Sequence, residues 1–148
     1  MKIPHWLFRI INGCVILLLR SPLHGLVSGS MLAIRYTGVK SGRCLTVPAR
    51  YLRRGDECVL VTSRQGRWWP NFRDGLPAKV LLAGDWCEAE VSAFSDVPEL
   101  AGEIVRELWA RHPADAAYMN VKMRDGVPDA DDLAMALRET VVIKVATA

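Results

Sequence analysis

Thr37-Gly38-Val39-Lys40-Ser41-Gly42-Arg43 is the stretch that decides how this chain is interpreted, because it joins two short runs typical of β-strands. Its glycines permit positive φ angles, which can direct neighbouring backbone N–H groups into one concavity. Its lysine and arginine add positive charge beside those groups, and its hydroxyl side chains add further donors. The spacing is not that of a P-loop, and the same composition is typical of a plain exposed hairpin. The turn alone therefore supports either a plain connection or an anion site.

Positive charge is concentrated in the first half of the chain. Residues 1–80 hold 13 Lys or Arg and 3 Asp or Glu, whereas residues 81–148 hold 6 and 13, which gives net charges of +10 and −7. Either the two halves attract each other or a partner, or the basic half surrounds a small polyanion. Nucleic acid is disfavoured, because the cations alternate with strand-like hydrophobic residues and form no known nucleic-acid motif. The cations expected around a polyanion are Arg35, Lys40, Arg43, Arg50, Arg53, Arg54, Arg64, Arg67 and Arg73.

Length and composition indicate one domain. A chain of 148 residues that is 51% hydrophobic can bury a core without disulfides or metals. Four cysteines lack metal-type spacing and three lie in apolar patterns, so we expect reduced, buried thiols in a reducing cytoplasm. These cysteines are Cys14, Cys44, Cys58 and Cys87. The histidines are also scattered, and we predict no metal site from His5, His24 and His112.

The most apolar part of the chain is residues 1–28, which predict a helix over residues 3–19. Its apolar run is shorter than the ~20 residues of a membrane span. Arg20 follows directly and no signal-cleavage pattern is visible, which disfavours secretion. Two interpretations are favoured instead. The helix is buried or docked on the domain, or it lies on a membrane surface with Trp6 and Phe8 in the interface.

Short β-rich runs separated by glycine-containing turns make up residues 31–94. Such a meander needs closure or cover, so we predict a small barrel. Pro48 has no N–H to donate, and its strand should therefore be an edge strand or carry a bulge. The strands predicted here are Met31–Thr37, Cys44–Arg53, Glu57–Arg64, Ala78–Ala83 and Trp86–Phe94.

The acidic half predicts one clear helix, with Asp96 as its N-cap and Glu99 three residues later. Residues 114–137 form a helix-and-loop excursion that we expect to act as a lid or pocket wall. A final strand, Glu139–Val145, returns to the sheet. The expected fold class is therefore mainly β with helices, a β-barrel in a single domain, and its segments are 1–28, 31–94, 95–138 and 139–148.

Several motifs follow one another in a fixed order over about residues 20–95. They are the T-G-V-K-S-G-R turn, a proline-containing strand ending Tyr51-Leu52-Arg53-Arg54-Gly55-Asp56, then Val61-Thr62-Ser63, Trp68-Trp69-Pro70-Asn71-Phe72 and Leu76-Pro77-Ala78. Together they resemble the deazaflavin-dependent nitroreductase family. This resemblance implies a split β-barrel of the FMN-binding type. It also implies binding of the deazaflavin coenzyme F-420, whose phosphate and glutamyl tail are polyanionic, in agreement with the basic first half.

The same resemblance implies roles for individual residues. The turn would hold the phosphate of the cofactor, Ser63 would lie near the deazaflavin ring, and Tyr118 with His112-Pro113 would belong to the substrate pocket. The W-W-P-N-F segment would pack beside the cofactor, although tryptophans next to a proline are more often packing residues. The candidate cofactor-binding residues are Thr37, Gly38, Lys40, Ser41, Gly42, Arg43, Arg50, Ser63, Arg64, Trp68, Trp69 and Asn71.

The sequence departs from the family pattern at three points. Val39 and Leu45 stand where the family commonly has basic residues, and a His-Pro insertion before Trp68 is missing. Arg43 can compensate for part of this loss of charge. The departures leave the cofactor open between the deazaflavin, flavin mononucleotide and haem, which related barrels bind.

No side-chain catalytic motif is visible, since G-x-S-x-G and H-E-x-x-H are both absent. A hydride-transfer enzyme needs none, because its cofactor supplies the chemistry. We therefore predict an oxidoreductase that passes a hydride from reduced F-420 to a quinone-like or nitroaromatic acceptor. Ser63 would lie at the reacting ring, and Tyr118 would be a proton donor or substrate contact.

Two other functions stay open at this stage. One is a non-catalytic protein that carries a deazaflavin, a flavin or haem. The other is a dimeric scaffold whose oppositely charged surfaces pair with a partner in a salt-sensitive way. We expect a cytoplasmic protein, either free or in peripheral contact with the inner face of the membrane, and its state is a monomer or a homodimer.

Overall fold

The computed structural model describes residues 4–23, 25 and 29–147, without the side chains of His5 and Phe8. Interpretations that involve His24 or the interfacial contact of Phe8 therefore concern atoms outside this description. The described part contains nine strands and three helices. The strands are β1 (Met31–Thr37), β2 (Cys44–Arg50), β3 (Leu52–Arg54), β4 (Glu57–Ser63), β5 (Leu76–Leu82), β6 (Asp85–Phe94), β7 (Met123–Arg124), β8 (Val127–Pro128) and β9 (Thr140–Thr147), and the helices are α1 (His5–Arg20), α2 (Pro98–Arg111) and α3 (Ala130–Arg138).

The barrel strands lie close to where the sequence predicts them. β1 has the predicted bounds, and most of the others differ by one or two residues at their ends. The exception is the long second strand, which divides at Tyr51 into β2 and β3. The Tyr51 N–H still donates to the Ser30 carbonyl at 3.0 Å, whereas Leu52 already pairs with β4. Inward and outward side chains continue to alternate across Tyr51. The hydrophobic pattern therefore does not reveal that the chain pairs with β1 before this residue and with β4 after it.

The large sheet closes on itself through this divided strand. Its order is β2-β1-β5-β6-β9-β4-β3, and every neighbouring pair is antiparallel. The two ends of that order are consecutive in the chain and are separated by Tyr51 alone. The sheet therefore curls into the predicted barrel. Pro48 lies in β2, at one end of the order, opposite Ala33, so the edge-strand prediction is confirmed.

Two clusters of buried side chains lie on the two faces of this sheet. Leu32 and Ile34 of β1 face inward and belong to the cluster that fills the barrel. Leu52 of β3 faces outward and belongs to a second cluster with Ile104 and Trp109 of α2. Helix α2 therefore covers the sheet by its apolar stripe, as the sequence predicts for a core helix.

Helix α1 docks on the outside of the barrel by one face only. Val15 and the fully buried Leu19 pack with Ala33 and Leu81 of the sheet. The docked interpretation of this helix is therefore confirmed for that face, while its other face is exposed. Within residues 4–23, 25 and 29–147, no helix is long and apolar enough to cross a membrane.

The start of α2 differs from the prediction. Its N-cap is Val97, which has no side-chain acceptor, and Pro98 occupies its first position. Asp96 adopts a left-handed conformation with φ of 60°, and its carboxylate accepts a hydrogen bond from Arg64 at 2.6 Å. The prediction that Asp96 caps this helix is therefore wrong, because its carboxylate is engaged by Arg64, which follows β4.

The excursion between α2 and β9 contains a 3-10 segment (Pro113–Met119), the hairpin of β7 and β8, and α3. Helix α3 begins at a regular cap, in which the Asp129 carboxylate accepts from the N–H groups of Asp132 and Asp131 at 3.0 and 3.1 Å. Because these hydrogen bonds favour the ionised form, they lower the pKa of Asp129. The excursion is therefore an ordered substructure rather than a plain loop.

The four cysteines differ in exposure, and all have free thiols. Cys58 of β4 is buried and Cys87 of β6 is half-buried, and burial raises the pKa of both thiols. Cys14 and Cys44 are exposed, so the prediction of buried thiols is wrong for these two. Cys14 lies in a helix that is covered on one side only, and Cys44 opens β2 beside the exposed turn.

Candidate functional site

The Thr37–Arg43 turn is closed by its own backbone. The Gly38 N–H donates to the Arg43 carbonyl and the Gly42 N–H donates to the Gly38 carbonyl, both at 2.9 Å. Gly42 has a φ of 67°, a conformation that favours glycine. A Cβ atom on Gly38 would stand 2.6 Å from the Ser41 hydroxyl oxygen. The local geometry therefore explains both glycines of the predicted motif.

Two adjacent N–H groups at the tip of this turn, those of Lys40 and Ser41, have no acceptor among the described residues. The side chains of Lys40 and Arg43 are exposed and form no ion pair with any described residue. The sequence predicts several neighbouring N–H groups available to an anion, and the structure leaves two of them without an acceptor among the described residues. Acceptors within the protein take the N–H groups of Gly38, Val39, Gly42 and Arg43.

Asn71 fastens the turn to the aromatic segment. Its side-chain oxygen accepts a hydrogen bond from the Val39 N–H at 2.8 Å, and its side-chain nitrogen donates to the Trp68 carbonyl at 2.8 Å. Both polar atoms of this side chain are therefore used to join two loops. The structure gives Asn71 a positioning role at the candidate site, and the W-x-x-N spacing is the sequence signal for it.

The aromatic segment supports the turn from the core. Trp69 is 3% exposed, and its ring N–H donates to the Arg64 carbonyl at 2.9 Å. Phe72 is fully buried and packs edge-on against Tyr36 and Trp68, with ring centroids 4.9 and 5.8 Å apart. Burial raises the pKa of Tyr36, so its hydroxyl stays protonated at neutral pH. Packing therefore accounts for Trp69, while Trp68 is only half-buried.

Ser63 lies at the same end of the barrel as the turn. β3 continues the direction of β2, and β4 runs antiparallel to it, so the Ser63 end of β4 points back towards Cys44. The Ser63 hydroxyl oxygen accepts a hydrogen bond from the Gln65 N–H at 3.2 Å. The hydroxyl keeps its own proton for donation to another group. The structure therefore brings Ser63, the aromatic segment and the turn to one end of the molecule.

Two other candidate cofactor-binding residues, Arg64 and Arg50, are occupied by carboxylates. Arg64 donates to Asp96 at 2.6 Å, and its buried Nε atom has no hydrogen-bond partner in the described part. Arg50 forms an ion pair with Asp115 and donates to the Ser30 hydroxyl and to Nδ1 of His112, each at 3.2 Å. The sequence offers no signal for these pairings, because each partner except Ser30 lies more than 30 residues away along the chain.

Arg50 is also remote from the turn along its strand. It is the last residue of β2, whereas the turn precedes the first. Six residue steps at about 3.4 Å put Arg50 about 20 Å from that end of the strand. Its partners Asp115 and His112 hold the start of the excursion there. The structure therefore places Arg50 at the base of the excursion and not at the turn.

The excursion carries Tyr118 and a shallow cavity. The Tyr118 side chain is 58% exposed. A cavity of about 560 Å³ lies in the same segment and is lined mainly by small residues. Its walls are Pro113, Ala114, Ala116, Ala117, Asn120, Val121, Lys122 and Met123. The predicted lid is thus a surface with a concavity of its own, and Tyr118 is available to a ligand from solvent.

Neither a protein-family model nor a curated protein matches this sequence. Solved structures do match it. The chain is similar to a putative pyridoxamine 5'-phosphate oxidase from Listeria innocua, at 13% identity and a TM-score of 0.51, over 93% of each chain. It is also similar to the heme storage protein HutZ from Vibrio cholerae, at 10% identity and a TM-score of 0.50, over 87% of this chain and 90% of that one.

A protein described as an F420 reductase also matches, at 15% identity over 88% of this chain and 90% of that one. Its TM-score of 0.46 is too low to support an inference about this chain. Identities this low show the fold alone. The chain is a split β-barrel with flanking helices, of the FMN-binding type, and the predicted fold class is confirmed.

Proposed function

We propose that this chain binds a phosphate-bearing redox cofactor at the Thr37–Arg43 turn and serves as an oxidoreductase. The preferred cofactor is the deazaflavin F-420, and the preferred acceptors are quinone-like or nitroaromatic compounds. The observation that carries the proposal is the turn itself, where the N–H groups of Lys40 and Ser41 and the side chains of Lys40 and Arg43 have no partner among the described residues.

The donor set at the turn fits a polyanionic tail. Backbone N–H groups and a serine hydroxyl can bind phosphate oxygens directly. The flexible side chains of Lys40 and Arg43 can pair with the further negative charges of a tail attached to that phosphate. Flavin mononucleotide carries one phosphate, whereas F-420 adds a glutamyl tail, so the two exposed cations favour the longer polyanion. The exposed Val39 contributes no charge at this tip.

The remaining candidate residues would position the reactants. A bound reduced deazaflavin would supply the hydride. Asn71 would hold the turn in its binding shape, and the Ser63 hydroxyl would donate a hydrogen bond at the ring end of the site. Tyr118 is exposed on the excursion, whose start lies beside Arg50 at the other end of β2. It would contact the acceptor or give it a proton only where the acceptor extends from the ring to the excursion.

Non-catalytic carriage of a flavin, a deazaflavin or haem is the second candidate function. The similarity to a heme storage protein supports it, because the same fold serves storage in that protein. The absence of a catalytic triad or metal motif from the sequence does not distinguish an oxidoreductase from a carrier, because the cofactor would supply the chemistry. Turnover of the reduced cofactor with an added acceptor distinguishes them.

The decisive experiment combines binding with turnover. Purified protein is titrated with oxidised F-420, flavin mononucleotide and haem, and reduced F-420 is then mixed with menadione while its visible absorbance is followed. We expect the tightest binding for F-420 and an oxidation rate that depends on menadione. Binding without menadione-dependent oxidation would select the carrier function.

A matched pair of double variants tests the turn. Lys40→Ala with Arg43→Ala removes the two free cations, and about 1 kcal/mol per exposed contact predicts roughly 30-fold weaker F-420 binding. Arg106→Ala with Arg138→Ala removes two exposed cations of α2 and α3 that form no ion pair with a described residue, and it should leave the affinity unchanged. Equal affinities of the two variants would contradict the phosphate site.

Location and assembly belong to the same proposal. A lipophilic quinone resides in a membrane, so an enzyme that reduces it would work in the cytoplasm at the inner membrane face. We also propose that this chain forms a homodimer, and sedimentation equilibrium of the purified protein tests this. A monomer at all concentrations would contradict the homodimer and would not bear on the cofactor site.

A further inference from the structure

The outward face of α1 is a stripe of exposed apolar side chains. Trp6 is 65% exposed, Ile10 54% and Leu17 68%. At 3.6 residues per turn these three side chains fall within about 40° of one another around the helix. Leu23, just beyond the helix, is exposed as well. Large exposed apolar side chains thus recur along one face of α1, and we call this face the apolar strip.

The strip faces away from the barrel because the opposite side of α1 is docked. Val15 and Leu19 lie about 180° from the strip and pack on Ala33 and Leu81. Helix α1 is therefore fixed along the barrel wall with its apolar strip in the open. An exposed apolar face of this kind marks an interaction site in a protein that has a packed core of its own.

Charge indicates what the strip binds. Arg9 and Arg20 lie on one flank of the strip, about 20° apart around the helix, and both are exposed. Neither forms an ion pair with any described residue. The sequence contains no Asp or Glu before Asp56. An apolar strip bordered by arginines, with no acidic residue on the helix, is the pattern of helices that lie in the interface of a bilayer.

We propose that α1 docks this protein onto bilayers that contain anionic lipids. Ile10 and Leu17 would enter the boundary between headgroups and acyl chains, and the amphipathic Trp6 ring would lie at headgroup level. Arg9 and Arg20 would pair with lipid phosphates. A second copy of the chain is a poorer occupant, because an antiparallel two-fold contact through this strip would place the arginine flanks of both copies on the same side. This docking does not depend on any cofactor.

Vesicle flotation measures the docking. The intact protein is mixed with phosphatidylcholine vesicles that contain either no phosphatidylglycerol or about one third of it. We expect partitioning to the anionic vesicles and little to the neutral ones. Absence of binding to the anionic vesicles, or equal binding to both compositions, would overturn the proposal.

Matched variants assign the binding to the strip. Leu17→Glu should weaken partitioning at least about tenfold, because it removes a leucine that would enter the bilayer and adds a charge that anionic lipids repel. Met135→Glu, at an equally exposed position on α3, should leave it unchanged. Since both positions are exposed, neither change disturbs the core, and thermal melting of the variants verifies this.

The charged flank has its own pair of variants. Arg9→Gln with Arg20→Gln should weaken binding to anionic vesicles roughly 30-fold, at about fivefold per arginine. Arg106→Gln with Arg138→Gln should change it by less than about twofold, because those residues lie on other helices. If the two double variants bind alike, the flank is not the lipid contact.

Two further outcomes would overturn the assignment. One is loss of vesicle binding in the Lys40→Ala, Arg43→Ala variant, which would move the lipid contact to the turn. The other is a dimer in sedimentation equilibrium that Leu17→Glu dissociates, which would make a second copy the occupant of the strip. Vesicle binding that persists without F-420 turnover would support this proposal and count only against the proposed function.

Discussion

The cations of the basic half fall into two groups, and the difference between them locates the candidate site. Arg50, Arg54 and Arg64 each contact a carboxylate, and every one of those carboxylates comes from the acidic half of the sequence. Lys40 and Arg43 contact none in the described part. Part of the charge asymmetry is thus neutralised within the molecule, and the two cations of the turn are left available to an outside anion.

Position in the fold explains the two groups. Arg50 and Arg54 lie on strand segments that α2 and the excursion cover, where Glu103, Glu107 and Asp115 come within reach. Arg64 follows β4 and pairs with Asp96, which lies just before α2. The free cations lie on a turn that extends beyond the ends of the strands. A cation in the first group contributes to folding, and a cation in the second group is available to a ligand. The following variants test that division.

The largest expected effect is on the partly buried pair of Arg50 and Asp115. Asp115→Ala would leave the arginine charge without its carboxylate, in side chains that are about a quarter exposed, and should lower the free energy of unfolding by about 2 kcal/mol. Urea unfolding measures this loss. Asp74→Ala, which removes an exposed carboxylate without an ion pair, is the control and should change stability by less than about 0.5 kcal/mol. If Asp115→Ala left the free energy of unfolding unchanged, Arg50 would belong with the cations that do not contribute to folding.

A smaller effect is expected when the turn is altered without removing a cation. Gly38→Ala would force the Ser41 hydroxyl away and release its hydrogen bond from the Arg43 N–H. We expect a loss of stability below about 1 kcal/mol, because one flexible side chain can move, and several-fold weaker F-420 binding. Isothermal titration measures the affinity. Unchanged binding would show that the cations act without the shape of the turn.

Gly13→Ala is the matched glycine variant. No atom lies within 4 Å of a Cβ placed there, and the residue is inside α1. Alanine should therefore raise stability by about 0.5–1 kcal/mol and leave F-420 binding as it is. A loss of F-420 affinity in this variant would mean that the effect of Gly38→Ala is not specific to the turn.

The smallest effect is expected for Arg54. Its contacts with Glu103 and Glu107, at 3.4 and 3.9 Å, lie at the surface. Arg54→Ala should therefore cost no more than about 0.5 kcal/mol, and added salt should reduce that cost further. Thermal unfolding at low and high ionic strength measures both. A cost as large as that of Asp115→Ala would show that exposure does not separate the paired cations.

The local sequence pattern predicts the strands well, because the alternation and the turn residues that define each strand lie within one short stretch of the chain. The alternation and turn residues around Met31–Thr37 reproduce β1, and the missing N–H of Pro48 predicts its place on an edge. The cap of α2 fails for the opposite reason. Asp96 suits a helix N-cap locally, but Arg64 of a distant segment takes its carboxylate.

The candidate site divides in the same way. The glycines of the turn follow from a short motif, and the structure supplies a geometric reason for each. The two hydrogen bonds by which Asn71 joins the turn to the aromatic segment are seen only in the structure. The free state of Lys40 and the paired state of Arg50 cannot be read from composition, because each depends on which acidic residue the fold brings near. Ion pairs between residues that are far apart in the chain therefore cannot be predicted from the sequence pattern alone.

The place of β9 in the sheet has a consequence for synthesis. β9 pairs with β6 on one side and with β4 on the other, although it follows all the other strands in the chain. While the ribosome is still making residues 140–147, β4 and β6 each present an unpaired edge. The nascent chain therefore carries two open sheet edges until its ninth strand emerges, and a chaperone that shields such edges would act in that interval.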